Sequence, residues 1–120
     1  MTWDELEALA EQLPDDAAYD PEARSWSRSG SWFARERPLS KKDLSRLGSR
    51  APDSEVVAVR VRDLATKATW VASEPRTCFT TPHFEGYPIV LVDLEQADPH
   101  VVEELLLDGY DVARTKLGKQ

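Results

Sequence analysis

The sequence predicts one α+β domain, in which helices pack on one side of a curved, mostly antiparallel sheet. Its 120 residues suffice for one hydrophobic core and not for two. Apolar residues recur at helical spacing near both ends of the chain, whereas segments in the middle alternate apolar and polar residues, as strands do. We therefore expect residues 1–120 to form a single domain, with the last few residues disordered.

The first segment predicts a helix followed by a loop. Thr2 and Glu5 have the spacing of a capping box, and apolar residues then recur at helical intervals. We expect a helix over residues 2–13, ended by a proline. The prolines and aspartates of residues 14–23 favour turns, so this stretch is predicted to be a loop in which the chain reverses.

A β-hairpin and a short helix are expected next. Ser25–Arg28 and Ser31–Glu36 carry aromatic residues and flank a Ser-Gly dipeptide, which is typical of a tight hairpin turn. Ser40 has the position of an N-cap for a short helix that should stop at Gly48.

Val57–Arg62 gives the clearest strand pattern in the chain. Alternation places three valines on one face and places Ala58, Arg60 and Arg62 on the other. We expect the valine face to lie in the core and the arginine face to be basic and exposed to solvent.

The second half alternates helices and strands. Asp63 is predicted to cap a helix that runs through Ala72. Thr77–Thr80 and Ile89–Val92 are predicted strands, and the second is apolar throughout, as central strands are. Asp98 and the proline after it predict the start of the last helix.

Charge is distributed unevenly along the chain. The formal net charge is −7, but residues 1–23 carry −8, residues 24–76 carry +6 and residues 77–120 carry −5. Because salt screens charges beyond about 10 Å, the basic segment can act locally despite the acidic whole. One hypothesis is an exposed sheet face that binds the phosphates of DNA, and the alternative is that these cations pair with the N-terminal acids. The predicted phosphate contacts are Arg28, Arg35, Arg37, Arg60 and Arg62.

Residues suited to catalysis or metal binding are few. Cys78 is the only cysteine, which excludes an intramolecular disulfide, and a cysteine in a strand is commonly buried and inert. A nucleophile and base pair would need Cys78 and His83 in contact, and together with His100 they lack the paired spacing of a zinc site. We predict a protein that is not an enzyme and needs no metal or cofactor.

The sequence also predicts the cellular location of the protein and its relation to membranes. No apolar run approaches the roughly 18 residues that span a membrane, so no membrane partner is expected. The N-terminal segment lacks the basic start and apolar stretch of a signal peptide, which predicts a cytoplasmic location.

The stretch Phe79–Val92, FTTPHFEGYPIVLV, resembles the MmcQ/YjbR family, and shorter matches extend over nearly the whole chain. The resemblance implies a small α+β domain with a curved antiparallel sheet, similar to the double-wing arrangement of a phage transcription factor, and a DNA-binding function. In the last helix, Gly109 stands where alanine is more usual. The motif residues of the turn are Thr81, Pro82, His83, Phe84, Gly86, Tyr87 and Pro88.

The turn over residues 81–88 supports a second functional hypothesis. Its two prolines and its glycine restrict the backbone, and His83 is predicted to hydrogen-bond across the turn and hold it rigid. Such a turn could serve a protein-interaction or small-ligand module instead of a DNA-binding one.

Overall fold

The computed structural model describes residues 1–48 and 55–113. Its helices are α1 (Trp3–Ala10), α2 (Lys41–Leu47), α3 (Leu64–Ser73) and α4 (Pro99–Ala113). Its strands are β1 (Ala17–Asp20), β2 (Ser25–Arg28), β3 (Ser31–Glu36), β4 (Val56–Arg60), β5 (Cys78–Phe79) and β6 (Ile89–Asp93). They form one antiparallel sheet in the order β1-β2-β3-β4-β6-β5, which confirms the predicted α+β class. The disorder predicted for the last few residues concerns positions outside the described ones.

The predicted capping box opens α1, but the helix is shorter than expected. The Glu5 N–H donates to Thr2 Oγ1 at 3.1 Å, and the Thr2 N–H donates to Glu5 Oε1 at 2.7 Å. Beyond Ala10 the helix gives way to tighter turns, in which the Leu13 N–H donates to the Ala10 carbonyl at 3.0 Å. Leu13 therefore still reaches the core, although it lies outside the helix.

The loop predicted over residues 14–23 is wrong in part, because Ala17–Asp20 forms the edge strand β1. Tyr19 lies opposite Trp26 on β2, and the two rings stack with centroids 4.3 Å apart. The Trp3 indole N–H donates to the Tyr19 hydroxyl at 3.0 Å. These tertiary contacts outweigh the turn-forming composition of the segment.

The hairpin and the short helix α2 form as predicted. Ser29 and Gly30 have φ values of 53° and 80°, the left-handed conformation that tight hairpin turns require. Ser40 caps α2 through its side chain, and Gly48 ends the helix with a φ of 58°.

A bulge in β3 decides which side chains share a face of the sheet. Trp32 and Ala34 of β3 both pair with residues of β2. Phe33, which lies between them, has no partner on β2. Phe33 and Ala34 consequently both point toward the same core, where each is 0% exposed. Trp32 and Arg35 share the opposite face.

The larger core lies on the face of the sheet that packs against α1 and α4, which we call the inner face. It combines the first and last helices with alternate residues of the central strands. Representative buried members are Leu6, Phe33, Val57, Val59, Val90, Val92, Leu105 and Leu106. Trp70 and Val71 of α3 are partly buried and pack against the same core.

The opposite, outer face also carries a small core. Val56, Ala58 and Leu91 are buried there beneath Phe84, which comes from the turn before β6. All five residues of β4 are buried, so the prediction that Ala58 and Arg60 form a basic, solvated face is wrong. Ala58 packs with Phe84, and Arg60 donates to the Trp32 carbonyl of β3.

Helix α4 crosses the sheet so closely that a glycine is needed. A Cβ atom at Gly109 would lie 3.2 Å from the carbonyl oxygens of Phe33 and Arg60. This close approach explains why glycine, a residue that disfavours helix, stands in the middle of α4. None of the described helices is long and apolar enough to cross a membrane.

Candidate anion-binding site

Arg28, a predicted phosphate contact, faces inward and is already engaged. Its Nε lies 2.9 Å from Asp16 Oδ2, and its Nη1 donates to the Tyr110 carbonyl at 3.1 Å. The guanidinium also lies 3.8 Å from the centroid of the Tyr110 ring. The Tyr110 hydroxyl donates to Asp16, and this bond together with Arg28 lowers the pKa of the Asp16 carboxyl. Arg28 thus joins β2 to α4 and does not form part of an exposed basic face.

Arg60 and Arg62 occupy different environments, although alternation predicts one exposed face for both. Arg60 is 1% exposed and its Nη1 donates to the Trp32 carbonyl at 2.9 Å. Burial lowers the pKa of its guanidinium, and its Nε and Nη2 find no hydrogen-bond partner among the described residues. Arg62 is exposed and follows the end of β4.

Arg35 and Arg37 do lie on the outer face, as predicted. Arg35 is exposed, with its guanidinium 4.1 Å from the centroid of the Trp32 ring. Arg37 is half-buried, and its backbone N–H donates to the Val56 carbonyl at 2.8 Å. Its guanidinium lies 5.1 Å from the Phe84 ring, and its Nε is buried with no acceptor among the residues that the structure describes.

A cleft of about 380 Å³ separates Arg37 from α2 and the turn before β6. Lys42 and Arg46 lie one helical turn apart and therefore project from the same side of α2. We call this feature the cationic cleft, and its polar lining consists of Arg37, Ser40, Lys42, Asp43, Arg46 and His83.

The single carboxylate of that lining is occupied within its own helix. Asp43 is 5% exposed, and its Oδ2 accepts the Ser40 N–H at 3.4 Å. The Asp43 N–H in turn donates to Ser40 Oγ at 3.1 Å, which completes the capping box of α2. The Asp43 carboxylate is thus hydrogen-bonded within the first turn of α2.

Ion pairs are few in the basic middle segment. Among the described residues, Arg24 pairs with Glu36 at 2.9 Å and with Glu55, and Arg28 pairs with Asp16. Four cations on the outer side have no described carboxylate within 4 Å. We call them the outer cations, and they are Arg35, Arg37, Lys42 and Arg46.

The turn over residues 81–88 is held by a buried lysine of α3. Lys67 of α3 is 5% exposed, and its Nζ donates to the carbonyls of Phe84 and, at 2.9 Å, Tyr87. Burial lowers the pKa of its ammonium group. A lone lysine among apolar helix positions was the available signal for this role.

His83 does not play the part predicted for it. The side chain is exposed and has no hydrogen-bond partner among the described residues, so it does not bridge the turn. Its ring meets the Phe84 ring edge-on at 4.8 Å and lies 6.5 Å from the Tyr87 ring. The rigidity assigned to His83 comes instead from Lys67 and from burial of Phe84.

The other motif residues shape the turn without entering the cleft's polar lining. Thr81 is buried, and its carbonyl accepts the Phe84 N–H at 2.9 Å at the start of a 3₁₀ turn over Pro82–Phe84. Gly86 has open space where a Cβ would stand. Tyr87 is 54% exposed, and the Pro88 carbonyl accepts the Val61 N–H at 2.8 Å.

Cys78 and His83 are not brought together. Cys78 lies in the inner core, and burial raises the pKa of its thiol to about 12, whereas His83 is exposed on the turn. A thiol with so high a pKa is a poor nucleophile at neutral pH. The described residues also contain no group of three His, Cys, Asp or Glu side chains able to hold a metal ion.

Two mycobacterial proteins are similar to this chain over most of its length. The uncharacterized protein Rv2570 of Mycobacterium tuberculosis is 40% identical over 112 residues, which cover 91% of this chain and 85% of that protein. The uncharacterized protein Mb2600 of Mycobacterium bovis matches with the same identity and coverage. No family model and no solved structure matches the chain, so the MmcQ/YjbR resemblance stays a prediction.

Proposed function

The chain belongs to the family of these mycobacterial proteins, and we propose that it is a non-enzymatic protein that binds the phosphate backbone of DNA through the outer cations. The supporting observation is that these four side chains share one side of the molecule without described carboxylate partners. Cations that are not engaged by carboxylates can release the counterions of a nucleic acid on binding.

The proposal keeps two of the five predicted arginine contacts and replaces the others. Arg35 and Arg37 remain, because they lie on the outer face, whereas Arg28 and Arg60 are engaged or buried. Arg62 is exposed but follows the C-terminal end of β4, whereas Arg37 bonds to Val56 at the other end of that strand. We propose Lys42 and Arg46 of α2 as phosphate contacts in place of Arg28, Arg60 and Arg62.

The salt dependence of binding tests this function. Four phosphate contacts give a slope of log K against log salt of about −3 to −4 on duplex DNA, because each contact contributes about −0.9. Fluorescence anisotropy with a labelled duplex and a single strand of the same sequence measures it, starting at low ionic strength. The double variant Arg35→Gln/Arg37→Gln should reduce the slope by about 2.

A matched control separates local contacts from net charge. Arg62→Gln removes one exposed positive charge away from the outer cations and should leave the slope unchanged. Binding that is absent at low salt, or that weakens as much in Arg62→Gln as in Arg35→Gln alone, would contradict the proposed function.

A further inference from the structure

We propose that the cationic cleft is a binding site for a phosphate monoester, the terminal phosphate of a nucleotide, a sugar phosphate or a 5′-phosphorylated strand. This goes beyond backbone binding and does not depend on it, because a free nucleotide carries the same group. The charge, the hydrogen-bond donors and the size of the cleft each favour this ligand class.

Charge is the first reason. Arg37, Lys42 and Arg46 bring three positive charges to one cleft, and Asp43, the one carboxylate in its lining, leaves a formal charge of +2 there. A phosphate monoester carries about −1.5 to −2 at pH 7, whereas each backbone diester carries a single negative charge. The cleft therefore matches the monoester better.

Free hydrogen-bond donors are the second reason. Arg37 Nε is buried with no acceptor among the described residues, although a buried guanidinium N–H normally has one. Phe84 lies 5.1 Å beneath the guanidinium and limits its movement, which favours a planar, two-bond contact with a phosphate. The terminal Nη1 and Nη2 of Arg37 also have no hydrogen-bond partner among the described residues and, unlike Nε, are not buried, so they can donate to a phosphate oxygen in the cleft.

Ser40 and His83 add neutral donors to the lining of the cleft. Ser40 Oγ accepts the Asp43 N–H, which leaves its own hydroxyl hydrogen free to donate. The His83 imidazole is exposed and has no hydrogen-bond partner in the part of the chain that the structure describes. The three oxygens of a monoester can thus be met by guanidinium, ammonium, hydroxyl and imidazole donors together.

The size of the cleft is the third reason. Its volume of about 380 Å³ is close to the lower end of the range of roughly 300–1,000 Å³ found for small-molecule sites. That space accommodates one phosphate with the sugar attached to it. A phosphate within a strand is joined to nucleotides on both sides, so two chain segments would have to leave the cleft. A terminal phosphate is joined on one side, so only one segment has to leave.

Isothermal titration calorimetry at low salt tests the inference with four probes. They are adenosine 5′-monophosphate, adenosine, and an eight-nucleotide single strand with either a 5′-phosphate or a 5′-hydroxyl. We expect the phosphorylated strand to bind about tenfold more tightly than the hydroxyl strand, which is the effect of one added charged contact. Adenosine 5′-monophosphate should bind and adenosine should not. Glucose 6-phosphate, as a further arm, shows whether a base contributes.

Variants assign the effect to the cleft. Arg46→Gln and His83→Ala alter exposed side chains, so folding should be unaffected, and each should reduce the preference for the 5′-phosphate. Arg62→Gln is the matched control and should keep it. Equal affinity for the two strand ends overturns the monoester site while leaving backbone binding intact. Binding of the mononucleotide without either strand supports the monoester site and overturns the proposed DNA function.

Discussion

Arg60 and Lys67 are cations that burial removes from any role in ligand binding. Each donates to main-chain carbonyls, Trp32 for Arg60 and Phe84 and Tyr87 for Lys67, and neither has a described carboxylate partner. Burying a charge is costly unless hydrogen bonds compensate, so these contacts are structurally necessary. The cations available to a ligand are therefore those that the fold leaves on its outer side.

Cys78 should be inert in the folded protein. Its thiol is buried and its pKa is raised to about 12, so the thiolate is scarce at neutral pH. We expect a thiol reagent at pH 8 to label Cys78 only after the protein is unfolded in denaturant. Labelling of the native protein at the rate of a free thiol would contradict this and reopen a catalytic role.

The same pKa predicts a pH dependence of stability. Between about pH 9 and about 12 the native state keeps a proton that the unfolded state gives up. The free energy of unfolding should therefore be largest below this window and fall as the pH rises through it. Urea denaturation of the wild type and of Cys78→Ala at pH 8 and pH 10.5 isolates the effect. The free energy of unfolding should fall less between these pH values in the variant, because it lacks the thiol. Parallel losses in both proteins would refute the assignment to Cys78.

Gly109 tests how closely α4 approaches the sheet. Alanine favours helix by about 1 kcal/mol over glycine. Its Cβ would nevertheless meet two main-chain oxygens at 3.2 Å, and overpacking costs about 1–3 kcal/mol. We expect Gly109→Ala to lower the free energy of unfolding by about 1 kcal/mol in urea denaturation. A stabilised variant would show that the helix can move away without cost.

At the scale of elements, the turn over residues 81–88 depends on α3 through Lys67. Lys67→Met keeps the length of the side chain but leaves the carbonyls of Phe84 and Tyr87 without their donor. The expected loss is about 2 kcal/mol in the free energy of unfolding, measured by urea denaturation. Lys41→Met, at an exposed position of α2, is the control and should change it by less than about 0.5 kcal/mol. Similar stability of both variants would mean that Lys67 does not anchor the turn.

The elements that the sequence predicts well are those with local signals. The capping boxes at Thr2 and Ser40 and the Ser-Gly hairpin turn specify their structures through neighbouring residues. β1 could not be predicted, because Ala17–Asp20 becomes a strand only by pairing with β2. The bulge at Phe33 is equally non-local, and it exchanges the faces to which the following side chains point.

The candidate site likewise combines local features, which the sequence predicts, with tertiary features, which it does not. Arg35 and Arg37 lie on the outer face, but alternation along β4 cannot reveal that Arg60 is buried and donates to the Trp32 carbonyl. The basic character of α2 is visible in the sequence, whereas its position across a cleft from His83 is set by tertiary packing. Sequence reasoning therefore found the basic segment and missed the place where its charges meet.

At the scale of the whole molecule, helix α1 and the outer cations lie on opposite sides of the sheet. Residues 1–23 carry −8, and α1 packs on the inner face, whereas the outer cations lie on the opposite side. Among the described residues, Asp16 is the acid of this segment that pairs with a basic side chain. A net charge of −7 is thus compatible with a local cationic surface, because salt screens distant charges.

A nuclear magnetic resonance titration tests most directly whether the outer cations receive the ligand. The ¹⁵N-labelled protein is titrated with a 5′-phosphorylated single strand, and the amide and arginine Nε–H signals are followed. We predict that the Nε–H of Arg37 and the amides of α2 and His83 shift together, while Arg28 and Tyr110 stay unchanged. Shifts confined to Arg28 and Tyr110, or the absence of a shift at Arg37, would contradict the account.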